Sequence, residues 1–123
     1  MRQLLISTLL AGAVVSGAAA QDIVRTNPFL GTWHCNGFGN QPAAILTIGN
    51  PMYDYKAVDA NWQPNAEGAN GGGIMTFGAG QALPFGGPLL EQFSATGSFS
   101  ENDYILVWEG ANGFSLTCLL QVQ

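Results

Sequence analysis

Positive charge is the scarcest property of this chain. Three Lys and Arg stand against eight Asp and Glu, and there is one histidine. So few cations cannot neutralise a row of phosphates, which excludes nucleic-acid binding as a main activity. The same balance argues against docking on anionic lipid. Catalytic sets are equally scarce. A Ser-His-Asp triad would have to use His34, and no Gly-x-Ser-x-Gly occurs. No cysteine–histidine cluster has zinc spacing, and Gly71-Gly72-Gly73 lacks the lysine of a phosphate cradle. Glu101-Asn102-Asp103 offers oxygens to a cation, but turns of that composition form without metal. We therefore expect no cofactor, no metal and no catalytic residues. No stretch carries the period of an amphipathic helix.

What is present begins with an address. Arg2 is followed by a largely apolar run from Leu4 to Val15, then by Ala18-Ala19-Ala20. This is the layout of a cleaved signal peptide over residues 1–20, with cleavage before Gln21. The run is short for a membrane span, and its end is small rather than basic. The expected destination is the periplasm or the outside of the cell. Residues 21–27 read as a flexible lead-in interrupted by Pro28, and 28–123 as one domain of roughly 100 residues. Beyond the leader, Arg25 and Lys56 are the fixed cations.

Two cysteines in an exported chain read first as a disulfide. Cys35 lies near the start of the domain and Cys118 near its end. The loop that they close covers most of the domain, which the chain-entropy model values at roughly 4–5 kcal/mol before native strain is subtracted.

Short strands punctuated by Gly, Asn and Pro account for the rest. Phe29–Phe38 is the first, with Trp33 and Cys35 on one face and His34 on the other. Ala43–Ile48 and Met52–Ala60 form a hairpin about Gly49-Asn50-Pro51, with Tyr53, Tyr55 and Ala57 facing together. Residues 61–73 read as a mobile polar loop, and Ile74–Phe77 as a brief strand. Gly78–Leu90 is Gly- and Pro-rich yet apolar, which suits an ordered loop tucked over one end of the core or an apolar lip. Gln92–Phe99, Tyr104–Glu109 and Phe114–Gln121 complete the set, the last two joined by a turn containing Asn112-Gly113. Seven or eight sequential strands predict an all-β fold, a small antiparallel up-and-down barrel, with a β-sandwich as the alternative. A bridge between first and last strands favours the barrel, because closure makes those strands neighbours. A membrane-spanning barrel needs longer spans with unbroken apolar rows, and Ser94–Phe99 and Ile74–Phe77 do not supply them.

Gly31-Thr32-Trp33, opening a meander of short strands, resembles the first strand of the calycins: lipocalins begin with Gly-x-Trp and avidin-type barrels with Gly-Thr-Trp. The resemblance implies a structural Trp33 packed at the closed end of a barrel. The avidin pattern of ligand-binding serines, tyrosine and tryptophans is not found, so biotin is not implied. The layout is also similar to that of the periplasmic inhibitors of secreted metalloproteases, which share the leader, the small barrel, the Gly-x-Trp and one disulfide. Their bridge lies within one half of the domain, whereas these cysteines lie at its two ends.

Function is then sought in the aromatics. Tyr104–Trp108 is apolar on both faces, and a barrel of this size buries one of them. The surplus suits either a ligand cavity or an outer face covering a second subunit of a homo-oligomer. Trp62, Phe85, Tyr104 and Trp108 are the candidate ligand-binding residues. The expectation is an exported, non-enzymatic binding protein whose ligand is an apolar small molecule or a protein. The alternative is a protease inhibitor or interaction module that uses Gln21–Asn27 or the 61–73 loop. His34 beside Cys35 makes a poor nucleophile pair, because neighbours on a strand face opposite ways.

Overall fold

The computed structural model describes residues 27–121. The expected leader and all of the lead-in except Asn27 fall outside them. Eight antiparallel strands close into a barrel in chain order. They are β1 (Gly31–Asn36), β2 (Pro42–Ile48), β3 (Met52–Ala57), β4 (Asn70–Gly78), β5 (Gln81–Phe85), β6 (Thr96–Ser100), β7 (Asn102–Glu109) and β8 (Ser115–Leu120). One short helix, α1 (Pro88–Glu91), lies between β5 and β6. The barrel, not the sandwich, is the fold.

Closure runs through β1 and β8, where Cys35 sits directly opposite Cys118. The two form a disulfide across a sequence separation of 83, joining the first and last strands as expected. Such a bridge suits a chain that folds in an oxidising compartment.

Alternation decides what enters the barrel. Trp33 and Cys35, Leu46 and Ile48, Tyr53 and Tyr55, Leu106 and Trp108, and Leu116 and Cys118 point inward and are buried. Large residues face small ones across the strands: Tyr53 lies opposite Gly73, Tyr55 opposite Gly71, Trp108 opposite Gly97. A Cβ on Gly97 would come within 2.9 Å of the Trp108 ring. Eight strands enclose just enough room for interdigitated side chains, and here they fill it.

Two stretches depart from the sequence expectation. Gly71-Gly72-Gly73, read as the end of a mobile loop, belongs to β4. A Cβ on Gly73 would meet Gly86 O at 2.6 Å, and one on Gly72 would meet Tyr53 O at 2.7 Å. Gly72 and Gly73 are there because neighbouring backbone occupies the side-chain space, and Gly71 because its φ of 149° disfavours a side chain. The 78–90 segment, read as a loop, is strand β5 followed by a turn into α1. Its Gly and Pro content masked a strand whose residues alternate between exposed and buried. Pro84 is tolerated for a specific reason. Its opposite number Met75 donates its N–H to Pro51 O at 2.6 Å, away from β5. By antiparallel parity, Pro84 turns its missing N–H away from β4 as well. That side faces β6, which pairs with β5 only at Gln81 and Ala82. The proline therefore lies at the open part of the seam, where no ladder bond is lost.

Both ends are covered. Where β1 begins, Phe29 stacks on Phe77 (5.4 Å between centroids) and Phe99 (4.4 Å). The Trp33 indole donates to Phe29 O at 2.9 Å, fixing that residue across the opening. At the other end the chain turns at Gly86-Gly87, and α1 places Leu89 in the core with no exposed surface. Phe93 and Phe114 stack there at 4.0 Å, with Tyr55 tilted against Phe93.

Candidate functional site

The interior offers packing rather than a chamber. Trp33, Ala44, Leu46, Ala82, Leu106 and Trp108 retain no accessible surface, so no water-sized space borders them. Among the described residues one buried side-chain polar atom is left over: Trp108 Nε1 has no hydrogen-bond partner. An orphaned donor of this kind costs about 1–3 kcal/mol. Trp33, equally buried, avoids that cost through Phe29.

The four candidate ligand residues are not brought together. Trp108 is core. Tyr104 shares its parity on β7 but lies half-exposed near the start of the strand. Phe85 points outward from β5. Trp62 lies outside the barrel, stacked on His34 at 4.6 Å with 29° between the rings. Its backbone is in the left-handed region (φ 63°), unusual for a bulky residue. Asp59 imposes that geometry. Its Oδ1 accepts from the N–H of Asn61 (2.8 Å) and of Gln63 (3.0 Å), while its carbonyl accepts from Trp62 N–H at 3.0 Å. The loop beyond is held rather than loose: Asn70 Nδ2 donates to Asn65 O and Gly68 O, and Asn70 Oδ1 accepts from Ala57 N–H.

His34 therefore occupies the middle of an outer row. It lies opposite Ile45 and Leu119, and Leu119 lies opposite Ile105. Most of this row is half-buried, and Trp62 covers its centre. A second outer row has no such cover among the described residues. Met52 on β3 sits opposite Ile74 on β4, which sits opposite Phe85 on β5. Their exposures are 57, 39 and 69%, and Leu83, two residues before Phe85 on the same face, adds 37%. Thr76, opposite Leu83, donates its hydroxyl to Leu83 O at 2.8 Å. Sequence reasoning found Phe85 but missed its companions. Alternation alone turns Met52 away from Tyr53, but joining Met52, Ile74 and Phe85 needs the register of three strands.

Beneath this wall, the Tyr53 hydroxyl donates to Gly86 O at 2.7 Å and accepts from Leu89 N–H at 3.1 Å. Burial raises its pKa. The Leu89 N–H pulls it partly back, and the nearby Glu91 charge pushes it further up. Burial alone pushes Tyr55 to about 12. These are structural phenols held neutral at ordinary pH, and the hydroxyl of Tyr53 ties α1 to the wall.

Among the described residues, no three His, Cys, Asp or Glu side chains gather into a metal-binding group. No helix of the described residues is long and apolar enough to cross a membrane. No protein-family model matches the chain, and neither curated proteins nor solved structures give a match.

Proposed function

We propose that this is an exported, non-enzymatic binding protein that meets a protein partner with the outside of its barrel. The observation that carries this reading is the filled interior. With Trp33, Leu46, Leu106 and Trp108 packed to no exposure, an apolar small molecule has no room among them. Contact is left to the wall and loops. The absence of catalysis is supported by the positions of the reactive groups. Both cysteines are spent in the disulfide, and His34 stacks on Trp62 rather than on an acid. Insertion into a membrane is disfavoured by the wall itself, where Thr47, Asp54, Lys56, Ser98, Thr117 and Glu109 face outward. The Gly31-Thr32-Trp33 opening of a closed meander supports a calycin-type relationship. The leader-like first twenty residues and the bridge support a periplasmic or secreted location.

Native mass spectrometry of protein purified without detergent, with solvent extraction of the same sample, tests this reading. The expected mass is that of the bridged chain alone. A stoichiometric small molecule retained in the native spectrum would overturn it in favour of a ligand-holding barrel.

A further inference from the structure

The row Met52–Ile74–Phe85 is an apolar row that the register brings together and that the described residues leave open. We propose that this row, extended by Leu83, is a docking face for a protein segment that is apolar at its centre and flanked by Lys or Arg. The inference rests on the reading of the outer wall as the contact surface and names the partner's chemistry.

Three observations carry it. The first is contiguity. The three residues are direct cross-strand neighbours, so their side chains stand side by side on one face. Scattered apolar residues are ordinary on a surface, whereas a joined row marks contact. The second is the contrast with the other outer row, where the chain supplies its own cover by holding Trp62 on His34. Among the described residues nothing comparable lies over Phe85, the most exposed member of the open row.

The third is charge, which chooses the occupant. Asp54 follows Met52 on the same outward face of β3 and stands between the apolar row and Lys56, and Glu91 closes the helix that follows β5; all three charges are exposed. Among the described residues Lys56 is the one fixed cation against seven acids. A second copy of this chain would bring the same acids to the contact, and like charges across an interface are unfavourable. A segment with basic flanks would meet Asp54 and Glu91 while burying its apolar centre. Strand addition at the neighbouring edge of β5 is disfavoured, because Pro84 offers that edge no N–H. Recognition is by side chains lying on the row.

The test uses the full exported chain and synthetic peptides read by fluorescence anisotropy. One peptide carries Leu and Phe at helical spacing with Lys on both flanks; its counterpart has Glu in place of Lys. The Lys-flanked peptide is expected to bind and the Glu-flanked one not to. Phe85→Ser and Ile74→Ser should each weaken binding at least about tenfold, the effect of losing a central anchor. Leu119→Ser on the other row should leave it unchanged. Raising NaCl from about 0.05 to 0.5 M should weaken binding. Circular dichroism and the mass of the bridged chain control for folding. Equal binding of both peptides, no binding of either, or binding indifferent to Phe85 and Ile74 would overturn the proposal. So would a dimer seen in sedimentation that Phe85→Ser dissolves, which would make a second copy the occupant. Capture by phosphatidylglycerol vesicles that depends on Phe85 would overturn it in favour of a lipid surface. A small molecule in the native mass spectrum defeats the functional reading instead, so the two failures are distinct.

Discussion

At the end where β1 begins, the barrel is shut by bulk: Phe29 wedges between Phe77 and Phe99, and the Trp33 indole holds its carbonyl. At the other end Leu89 and the Phe93–Phe114 stack supply the bulk, but the turn that seats α1 depends on its absence. Gly73 and Gly87 allow the turn into α1 to lie against β4 and beneath the Tyr53 hydroxyl, where a Cβ on either would collide with backbone. The first closure is lost by taking atoms away, whereas the turn that seats the second is lost by adding them. One mutational scan to alanine would therefore damage both ends for opposite reasons.

The difference can be broken from either side. Phe29→Ala should have the largest effect, about 3–4 kcal/mol in urea unfolding, because it removes a buried ring and leaves a gap between two others. Hydrogen exchange should rise in the first residues of β1 and the β6–β7 turn, with α1 protected as before. Equal loosening at both ends would show that the two closures are coupled.

Alkaline pH acts on the helix end. Tyr55 has a folded pKa of about 12 against 10.0 when unfolded. The raised value means that the neutral phenol is favoured in the native state. Its contribution is complete below pH 10 and is lost as pH rises through 12, in total about 2–3 kcal/mol. Tyr53 shifts in the same direction. Unfolding followed from pH 9 to 12 should show this loss, and Tyr55→Phe should flatten it. A slope unchanged in Tyr55→Phe would place the alkaline sensitivity elsewhere.

Gly73→Ala sharpens the contrast with the smallest expected change. One methyl pressed against Gly86 should cost about 1–3 kcal/mol, the range for overpacking. It should do so without disturbing the Phe29 end, as fluorescence from Trp33 and exchange in β1 would report. Stabilisation instead would mean that the turn yields and that the glycine is there for another reason.

How much of this could be read in advance follows from which forces are local. Alternation is local, so parity groups Trp33 with Cys35 and Tyr53 with Tyr55 on one face, whereas Tyr104–Trp108, apolar on both faces, leaves open which face enters the core. The bridge followed from two cysteines in a chain with a leader-like start. The helix end was hidden, because glycine in a strand that accommodates a neighbour's backbone looks the same in sequence as glycine in a loop. For the same reason Gly71–Gly73 and Gln81–Phe85 were assigned to irregular segments. Pro84 made the second misreading easier, since only the pairing of β5 with β4 and β6 reveals that its missing N–H faces an unpaired edge. The open outer row was hidden for a third reason. Met52, Ile74 and Phe85 are distant in sequence and become neighbours through the register of two ladders. Trp62 was singled out as an aromatic in a polar loop, but its stacking on His34 depends on the Asp59 turn.

The cross-strand bridge has a topological consequence. With Cys35 bonded to Cys118, everything between them is a covalent ring, and the two tails leave it from adjacent strands; Gln121 N–H still bonds Thr32 O at 2.9 Å. A protease that cuts any one turn of the ring, such as the exposed 61–68 loop, opens the circle without releasing a fragment. The described chain enters and leaves the ring at the Phe29 end, where Gln121 lies beside Thr32, so both exits from the covalent circle sit at one pole of the barrel.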